Sequence, residues 1–171
     1  MKKADSIRLA GIVRESIVDG PGIRFTVFCQ GCPHACKGCH NPETHDFAGG
    51  KDVSIDRLIE EIEKNKLLAG VTFSGGEPFC QPGPFVELGR RVKDMGLNIT
   101  VFSGYTLEQL NDMSVQNADV RELLGLTDIL IDGPFVNELR DLTLQFRGSS
   151  NQRVIDMNET RRSGETTIWK G

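Results

Sequence analysis

Four of the five cysteines in this chain fall in an eleven-residue stretch, within the run Cys29-Gln30-Gly31-Cys32-Pro33-His34-Ala35-Cys36-Lys37-Gly38-Cys39-His40-Asn41. Buried structural cysteines behave as isolated small hydrophobes, so this crowding of thiols asks for a chemical reason. Disulfides, a structural zinc or an iron–sulfur cluster would each supply one. Cys32, Cys36 and Cys39 form C-x-x-x-C-x-x-C, and Cys29 turns the run into two C-x-x-C pairs separated by three residues. Paired zinc knuckles need a longer spacer to reach one ion from opposite sides. A single short loop wraps a cubane more readily, because closely spaced thiolates reach several irons of one cluster. The loop therefore reads as iron–sulfur, with structural zinc as the plainer alternative.

The rest of the chain narrows the setting. Its 171 residues suffice for one domain with a real core, and 38% hydrophobic against 26% charged residues marks it as globular rather than disordered. We expect a single domain over residues 1–171, with a core over 7–156 and a polar tail over 157–171 that stays frayed until Trp169 docks on the domain or on a partner. A net charge of −4 with no basic block argues against nucleic acid as a partner. No apolar run is long enough to span a membrane, and Met1-Lys2-Lys3-Ala4-Asp5 leads into no apolar signal region. An odd number of cysteines crowded in one loop fits a reducing compartment, so the expected location is cytoplasmic.

Periodicity gives the order of elements. Ile7–Val13 and Ile23–Phe28 read as strands, joined by a segment whose Asp19-Gly20-Pro21-Gly22 core reads as a turn. Ser54 is a candidate N-cap for a helix carrying Ile55, Leu58, Ile59 and Ile62 on one face. Val71–Ser74 is a strand running into Gly75-Gly76-Glu77-Pro78, and Phe85–Met95 a second helix. Asn98–Phe102 and Thr127–Ile131 are strands, with helical pieces over Thr106–Asn111 and Asp119–Leu124 between them. Arg147–Arg153 is a polar loop. Strands alternating with helices imply parallel βαβ units. A complete barrel of eight units takes roughly 250 residues, so the expected fold is α/β, a partial (β/α) barrel of about five or six units. In such folds the C-terminal strand ends carry the chemistry, and both the cysteine loop and the Gly-Gly-Glu turn fall there. The bland readings are surface histidines at 34 and 45, and a half-buried structural thiol at Cys80.

The spacing of Cys32, Cys36 and Cys39 resembles the signature of the radical S-adenosylmethionine enzymes. The ordered set Asp19-Gly20-Pro21-Gly22, the cysteine loop, Ser74-Gly75-Gly76-Glu77-Pro78, Asp128-Ile129-Leu130-Ile131-Asp132-Gly133 and Arg147-Gly148-Ser149-Ser150-Asn151-Gln152 resembles the activating proteins of anaerobic ribonucleoside-triphosphate reductase, a family in the glycyl-radical-enzyme activase branch. The match runs from about Ile12 to Val154; the late Arg-Gly-Ser-Ser-Asn-Gln stretch and the short chain favour this family over pyruvate formate-lyase activase.

That resemblance implies a radical S-adenosylmethionine core in which Cys32, Cys36 and Cys39 hold three irons of a 4Fe-4S cluster and the fourth iron chelates S-adenosylmethionine. Cys29 is then a surplus thiol, needed only for a closed cluster. Ser74, Gly75, Gly76 and Glu77 hold the methionine end, and Ser103 is a further cofactor contact; Asp132, in a turn at a strand end, reads equally as a cofactor contact or as a solvated turn aspartate. The residue before the third cysteine is often aromatic in the superfamily. Here it is Gly38, so its backbone, with Cys39 and a stacking His40, serves instead. Relatives often carry a carboxylate near Val101-Phe102-Ser103, which this chain lacks. The implied reaction is reductive cleavage of S-adenosylmethionine and generation of a glycyl radical on the reductase, with an electron donor such as flavodoxin or ferredoxin. Rival readings are activation of another glycyl radical enzyme, and a non-enzymatic zinc or iron–sulfur module.

Overall fold

The computed structural model describes residues 4–39 and 41–171. Its organising element is a sheet whose two faces are chemically unlike. The described residues form seven strands in the order β3-β1-β2-β4-β5-β6-β7. These are β1 (Ser6–Ser16), β2 (Arg24–Cys29), β3 (Lys51–Ser54), β4 (Gly70–Gly75), β5 (Asn98–Phe102), β6 (Ile129–Asp132) and β7 (Arg153–Asp156). The central four, β2, β4, β5 and β6, are mutually parallel, and the remaining pairings are antiparallel.

Helices α1 (Ile55–Glu63), α2 (Pro82–Asp94), α3 (Leu107–Gln116), α4 (Ala118–Leu126) and α5 (Met157–Ser163) follow or connect these strands. The helix over residues 55–63 begins where its cap residue says it should, with the Ser54 hydroxyl accepting the Arg57 amide at 3.4 Å. All five helices contribute to one core with a single face of the sheet. Phe25 and Val27 of β2, Val71 and Phe73 of β4, Ile99 and Val101 of β5 and Leu130 of β6 pack there against Leu58, Phe85, Leu88, Leu110, Leu123 and Met157. Each such side chain contributes about 1.5–3 kcal/mol when removed from water.

The alternate positions point the other way and are polar at the centre. Thr26, Thr72 and Thr100 stand in register across β2, β4 and β5 and are all fully buried. Over them folds the Asp19-Gly20-Pro21-Gly22 segment, which does more than reverse the chain. The Thr72 hydroxyl donates to the Asp19 carbonyl at 2.8 Å, and the Ser16 and Thr26 hydroxyls donate to the Asp19 carboxylate at 2.5 and 3.3 Å. Arg24, itself fully buried, donates to Thr72 Oγ1 at 2.7 Å, the Pro21 carbonyl at 2.9 Å and the Val71 carbonyl at 3.0 Å. Burial pulls its guanidinium down to about 10, against the opposing pull of Asp128 and Asp19, so it remains charged at neutral pH.

Two expectations from the sequence need correction, and one strand has no counterpart among them. The strands do not all belong to parallel units: β1 reaches β2 through a short turn and β6 reaches β7 without a crossover helix, which leaves antiparallel strands on both sides of a four-stranded parallel centre. The short strand β3, just before the α1 cap, was not evident because it pairs at an edge, where one face carries no apolar pattern. The tail is not frayed. Residues 157–163 form α5, Ile168 bridges Ile155, and the Trp169 amide donates to the Val154 carbonyl at 2.8 Å while its ring packs against Phe146.

Replacing Arg24 by Met should lower the unfolding free energy by at least about 3 kcal/mol, because it strands the buried acceptors on Thr72 and Val71. Urea denaturation of the cluster-free chain followed by circular dichroism measures this; a loss below about 1 kcal/mol would show that the turn is held by other contacts.

Candidate active site

Parallel pairing of β2 and β4 ends with Cys29 opposite Gly75. The two chains remain joined beyond that point. The Gly76 amide donates to the Cys29 carbonyl and the Glu77 amide to the Gly31 carbonyl, both at 2.8 Å. The base of the cysteine loop is thus sewn to the Gly-Gly-Glu turn by backbone alone. The loop's far side is anchored where the Gly31 amide meets the Thr44 carbonyl at 2.6 Å and the Cys32 amide meets the His45 carbonyl at 3.2 Å. Between the last two cysteines the chain makes a tight turn, Cys39 N to Cys36 O at 3.2 Å, with Gly38 at φ +76°. A residue in that position of a type II turn needs positive φ, so Gly38 is explained by the turn.

A cleft of about 630 Å³ opens at the C-terminal ends of the parallel strands. Cys32, Cys36 and Cys39 line it, together with Ser74 and Gly75 at the end of β4, Gly76 just beyond it, Ser103 and Gly104 after β5, and Gly133 after β6. Asp19 contributes from the turn between β1 and β2, and Phe146, Arg147 and Gln152 close the cleft from the late polar loop. Its volume suits a small organic cofactor. The three cysteines are half-buried, whereas Cys29 is wholly buried in the hydrophobic core and Cys80 lies outside the cleft lining. Burial pushes the Cys29 thiol well above its ordinary range and Cys80 up to about 11. The Cys32 thiol is also raised, first by burial, then by Glu77 and by Cys36 and Cys39, against a His34 amide that favours its thiolate. Among the described residues no three His, Cys, Asp or Glu side chains gather closely enough to chelate a single ion.

The structure revises several expectations about individual residues. Glu77 does not face the cleft. Its side chain is fully buried and its carboxylate is surrounded by donors: the Ser103 hydroxyl at 3.0 Å to both oxygens, the Gly104 amide at 2.8 Å, the Phe79 amide at 3.1 Å and His34 Nε2 at 2.6 Å. His34 is accordingly no surface histidine. Asp132 is spent in the same way on the helix side of the sheet, accepting the Leu107 amide at 2.8 Å and Arg153 Nε at 3.0 Å, with Arg153 also paired to Glu108. Those partners raise the Arg153 guanidinium, and Arg153 holds the Glu108 carboxyl below its usual range. Gly38 is exposed and outside the cleft lining, and His40 lies outside the described residues.

The late loop, polar and rich in hydrogen-bonding side chains by its sequence, uses them to fix its own position. Gln152 accepts the Gly148 amide at 2.9 Å and the Ser149 amide at 3.2 Å, and donates to the Gly133 carbonyl at 3.0 Å. Asn151 donates to the Pro134 carbonyl at 2.8 Å. These bonds fix the loop against the turn after β6 and bring Arg147 to the cleft. Arg147 is the one Lys or Arg among the lining residues; Nη1 donates to the Gln152 carbonyl at 2.8 Å while Nε is buried without a partner. Phe146, beside it, is held at φ +63°, backbone strain of a kind that concentrates at functional sites.

With that geometry in hand the relatives can be placed. A family described as a 4Fe-4S single cluster domain matches residues 18–155. The anaerobic ribonucleoside-triphosphate reductase-activating protein of Haemophilus influenzae is 35% identical over 147 residues, covering 81% of this chain and 90% of its own. The chain belongs to this family of reductase-activating proteins. The pyruvate formate-lyase-activating enzyme of Listeria monocytogenes is 34% identical over 168 residues, 95% of this chain and 66% of that enzyme. Among solved structures, QueE from Escherichia coli overlaps 59% of this chain and 54% of its own, with 16% identity and a TM-score of 0.47, too partial an overlap to assign a fold.

Gly76 stands in the turn that the resemblance assigns to the methionine end, where the lack of a side chain would let a ligand approach the backbone. A Cβ there would lie 2.4 Å from the Gly31 carbonyl oxygen and 3.0 Å from that of Cys29, all of it backbone. Gly76→Ala should therefore displace the cysteine loop, lowering stability by about 1–3 kcal/mol and iron retention together. Thermal unfolding beside iron titration measures both; a variant of unchanged stability that merely binds cofactor weakly would restore the ligand-approach explanation.

Proposed function

We propose that this protein is a radical S-adenosylmethionine activase that generates a glycyl radical on anaerobic ribonucleoside-triphosphate reductase. The observation that carries the reading is the placement of Cys32, Cys36 and Cys39 on one wall of a cleft whose adjoining wall is the Ser74-Gly75-Gly76 turn. The donor set fits a 4Fe-4S cluster. Three soft thiols stand half-buried on the cleft wall, and thiolates crowded together in this way call for the positive charge that iron supplies. Cys29, sealed in the core, is poorly placed as a fourth ligand, which favours a cluster with one open iron over a closed one.

In this reading Cys32, Cys36 and Cys39 hold the cluster, and Ser74, Gly75, Gly76 and Ser103 line the place of the methionine end. Glu77 and Asp132 drop out as direct contacts, since their carboxylates are satisfied within the protein. Arg147, with an unspent buried donor, suits a carboxylate in the cleft. When bound, such a cluster would supply the one electron for reductive cleavage of S-adenosylmethionine to methionine, and the hydrogen that completes 5′-deoxyadenosine would come from a partner glycine, left as the glycyl radical. The chain's own part is to orient and to exclude water. We take residues 1–171 as one domain, its sheet the open core of a partial (β/α) barrel, with the uncovered cleft admitting a loop of the partner. A flavodoxin- or ferredoxin-like donor would supply the electron. No helix among the described residues is long and apolar enough to cross a membrane, and a cytoplasmic location accords with the reducing chemistry. The Listeria relative supports a second reading, in which pyruvate formate-lyase is the protein activated.

Two experiments test this. After anaerobic reconstitution, Cys29→Ala and Cys80→Ala should retain iron like the unaltered chain, whereas Cys32→Ala, Cys36→Ala and Cys39→Ala should lose it; zinc bound without any iron uptake would defeat the cluster assignment. Incubated with a reductant, S-adenosylmethionine and the reductase, the protein should yield methionine, 5′-deoxyadenosine and a glycyl radical detected by electron paramagnetic resonance. Cleavage without a radical on the reductase, but with one on pyruvate formate-lyase, would transfer the assignment to the second reading. No cleavage by a fully reduced cluster would refute the enzyme.

A further inference from the structure

We propose that His34 is a positioning residue, which through Glu77 fixes the cluster-holding loop over the turn that receives the methionine end; this rests on the functional reading above.

His34 sits between two of the three cluster thiols, at the middle of the loop. Its neighbours Pro33 and Ala35 are exposed, yet its own side chain is turned inward and only 15% exposed. Among the described residues, His34 makes the one side-chain hydrogen bond from residues 33–38 to the rest of the chain, Nε2 to Glu77 Oε1 at 2.6 Å. The Ser103 hydroxyl and the Gly104 and Phe79 amides also meet the Glu77 carboxyl group, so His34 completes a shell of polar partners around a fully buried side chain. The imidazole also stands edge-on to Tyr105, with centroids 4.5 Å apart and planes at 76°. The turn after β5 is shaped to admit it: a Cβ on Gly104 would lie 2.3 Å from the ring. Three separate segments therefore converge on one imidazole–carboxylate pair. They are the cysteine loop, the turn after β4 and the turn after β5. Nothing about packing alone requires this, since a leucine could fill the space. What a leucine could not do is satisfy a buried carboxylate and tether the loop by a directional bond.

The test separates tethering from folding and from the functional reading. In the cluster-free full chain, hydrogen exchange should quicken about tenfold in residues 31–39 and at Gly104 for His34→Leu, with β4 and α2 unchanged, and return toward normal in His34→Gln, which restores a donor. After reconstitution, both variants should hold as much iron as the unaltered protein, while His34→Leu binds S-adenosylmethionine about tenfold more weakly and loses the spectroscopic change that the cofactor induces in the reduced cluster. Unchanged exchange in His34→Leu, unfolding or iron loss that His34→Gln does not rescue, or ordinary cofactor affinity and spectrum in His34→Leu would each overturn the proposal. If the unaltered protein itself gives no response to S-adenosylmethionine, the functional reading fails, and the exchange result alone still decides whether His34 tethers the loop.

Discussion

The parallel register between β2 and β4 is the constraint from which the site follows. Strand pairing brings Cys29 opposite Gly75, and two further backbone bonds carry the seam into the loops, from Gly76 to Cys29 and from Glu77 to Gly31. Each bond is worth only about 0.5–1.5 kcal/mol net. Their value here is geometric, because they prolong a rigid ladder into chain that would otherwise be free. The cysteine loop and the glycine turn are distant in sequence, yet their relative position is no looser than that of two paired strands. The same closeness dictates small residues at the seam. Gly75, at φ +91°, would place a Cβ 2.6 Å from the Cys29 amide nitrogen. Backbone packing against β2 thus accounts for both glycines before any ligand is considered.

A sheet with helices on one face must do something with the other. In a closed barrel the second face meets itself; here it is covered by the Asp19-Gly20-Pro21-Gly22 turn and the long side chain of Arg24, seated on a row of threonines. Further along, Phe102, Ile129, Ile131 and Val154 form a small apolar cluster on which Phe146 and Trp169 rest. Between these two coverings the strand ends remain open, and that opening is the cleft. The tail thus bears on the site, since Trp169 backs the strained Phe146 that lies against the cleft.

Local features were legible in the sequence and long-range pairings were not. The Ser54 cap, the strand over Asn98–Phe102 and the position of the glycine turn at a strand end all follow from residues close together, and the structure bears them out. Glu77 and Asp132 misled for one reason. A carboxylate in a turn at a strand end has the same sequence whether it faces a ligand or the protein, and what decides is a partner far along the chain: His34, 43 residues away, or Arg153, 21 residues away. The tail's helix was hidden likewise, because α5 is short and polar, whereas the docking of Trp169 is what a lone large aromatic in a polar tail suggests. The late loop did carry a signal, an unusual density of amide side chains in Asn151 and Gln152, but their use as staples depends on where the turn after β6 lies.

Burying an ionised carboxylate is a poor way to gain stability, since its desolvation costs several kcal/mol, by order of magnitude, before any partner is counted. Glu77 recovers this through donors that arrive from three segments, and the arrangement is cooperative in a specific sense. Removing any one donor leaves the others satisfied but exposes a fraction of a buried charge, so the segments are bound to one another's presence rather than only to the core. An apolar residue at position 77 could pack as well and would leave the loops free to settle independently. A site that must hold thiolates on one loop in fixed relation to a turn on another gains from the costlier solution, because directional bonds to a common centre define positions, whereas hydrophobic contact, being non-directional, defines only proximity.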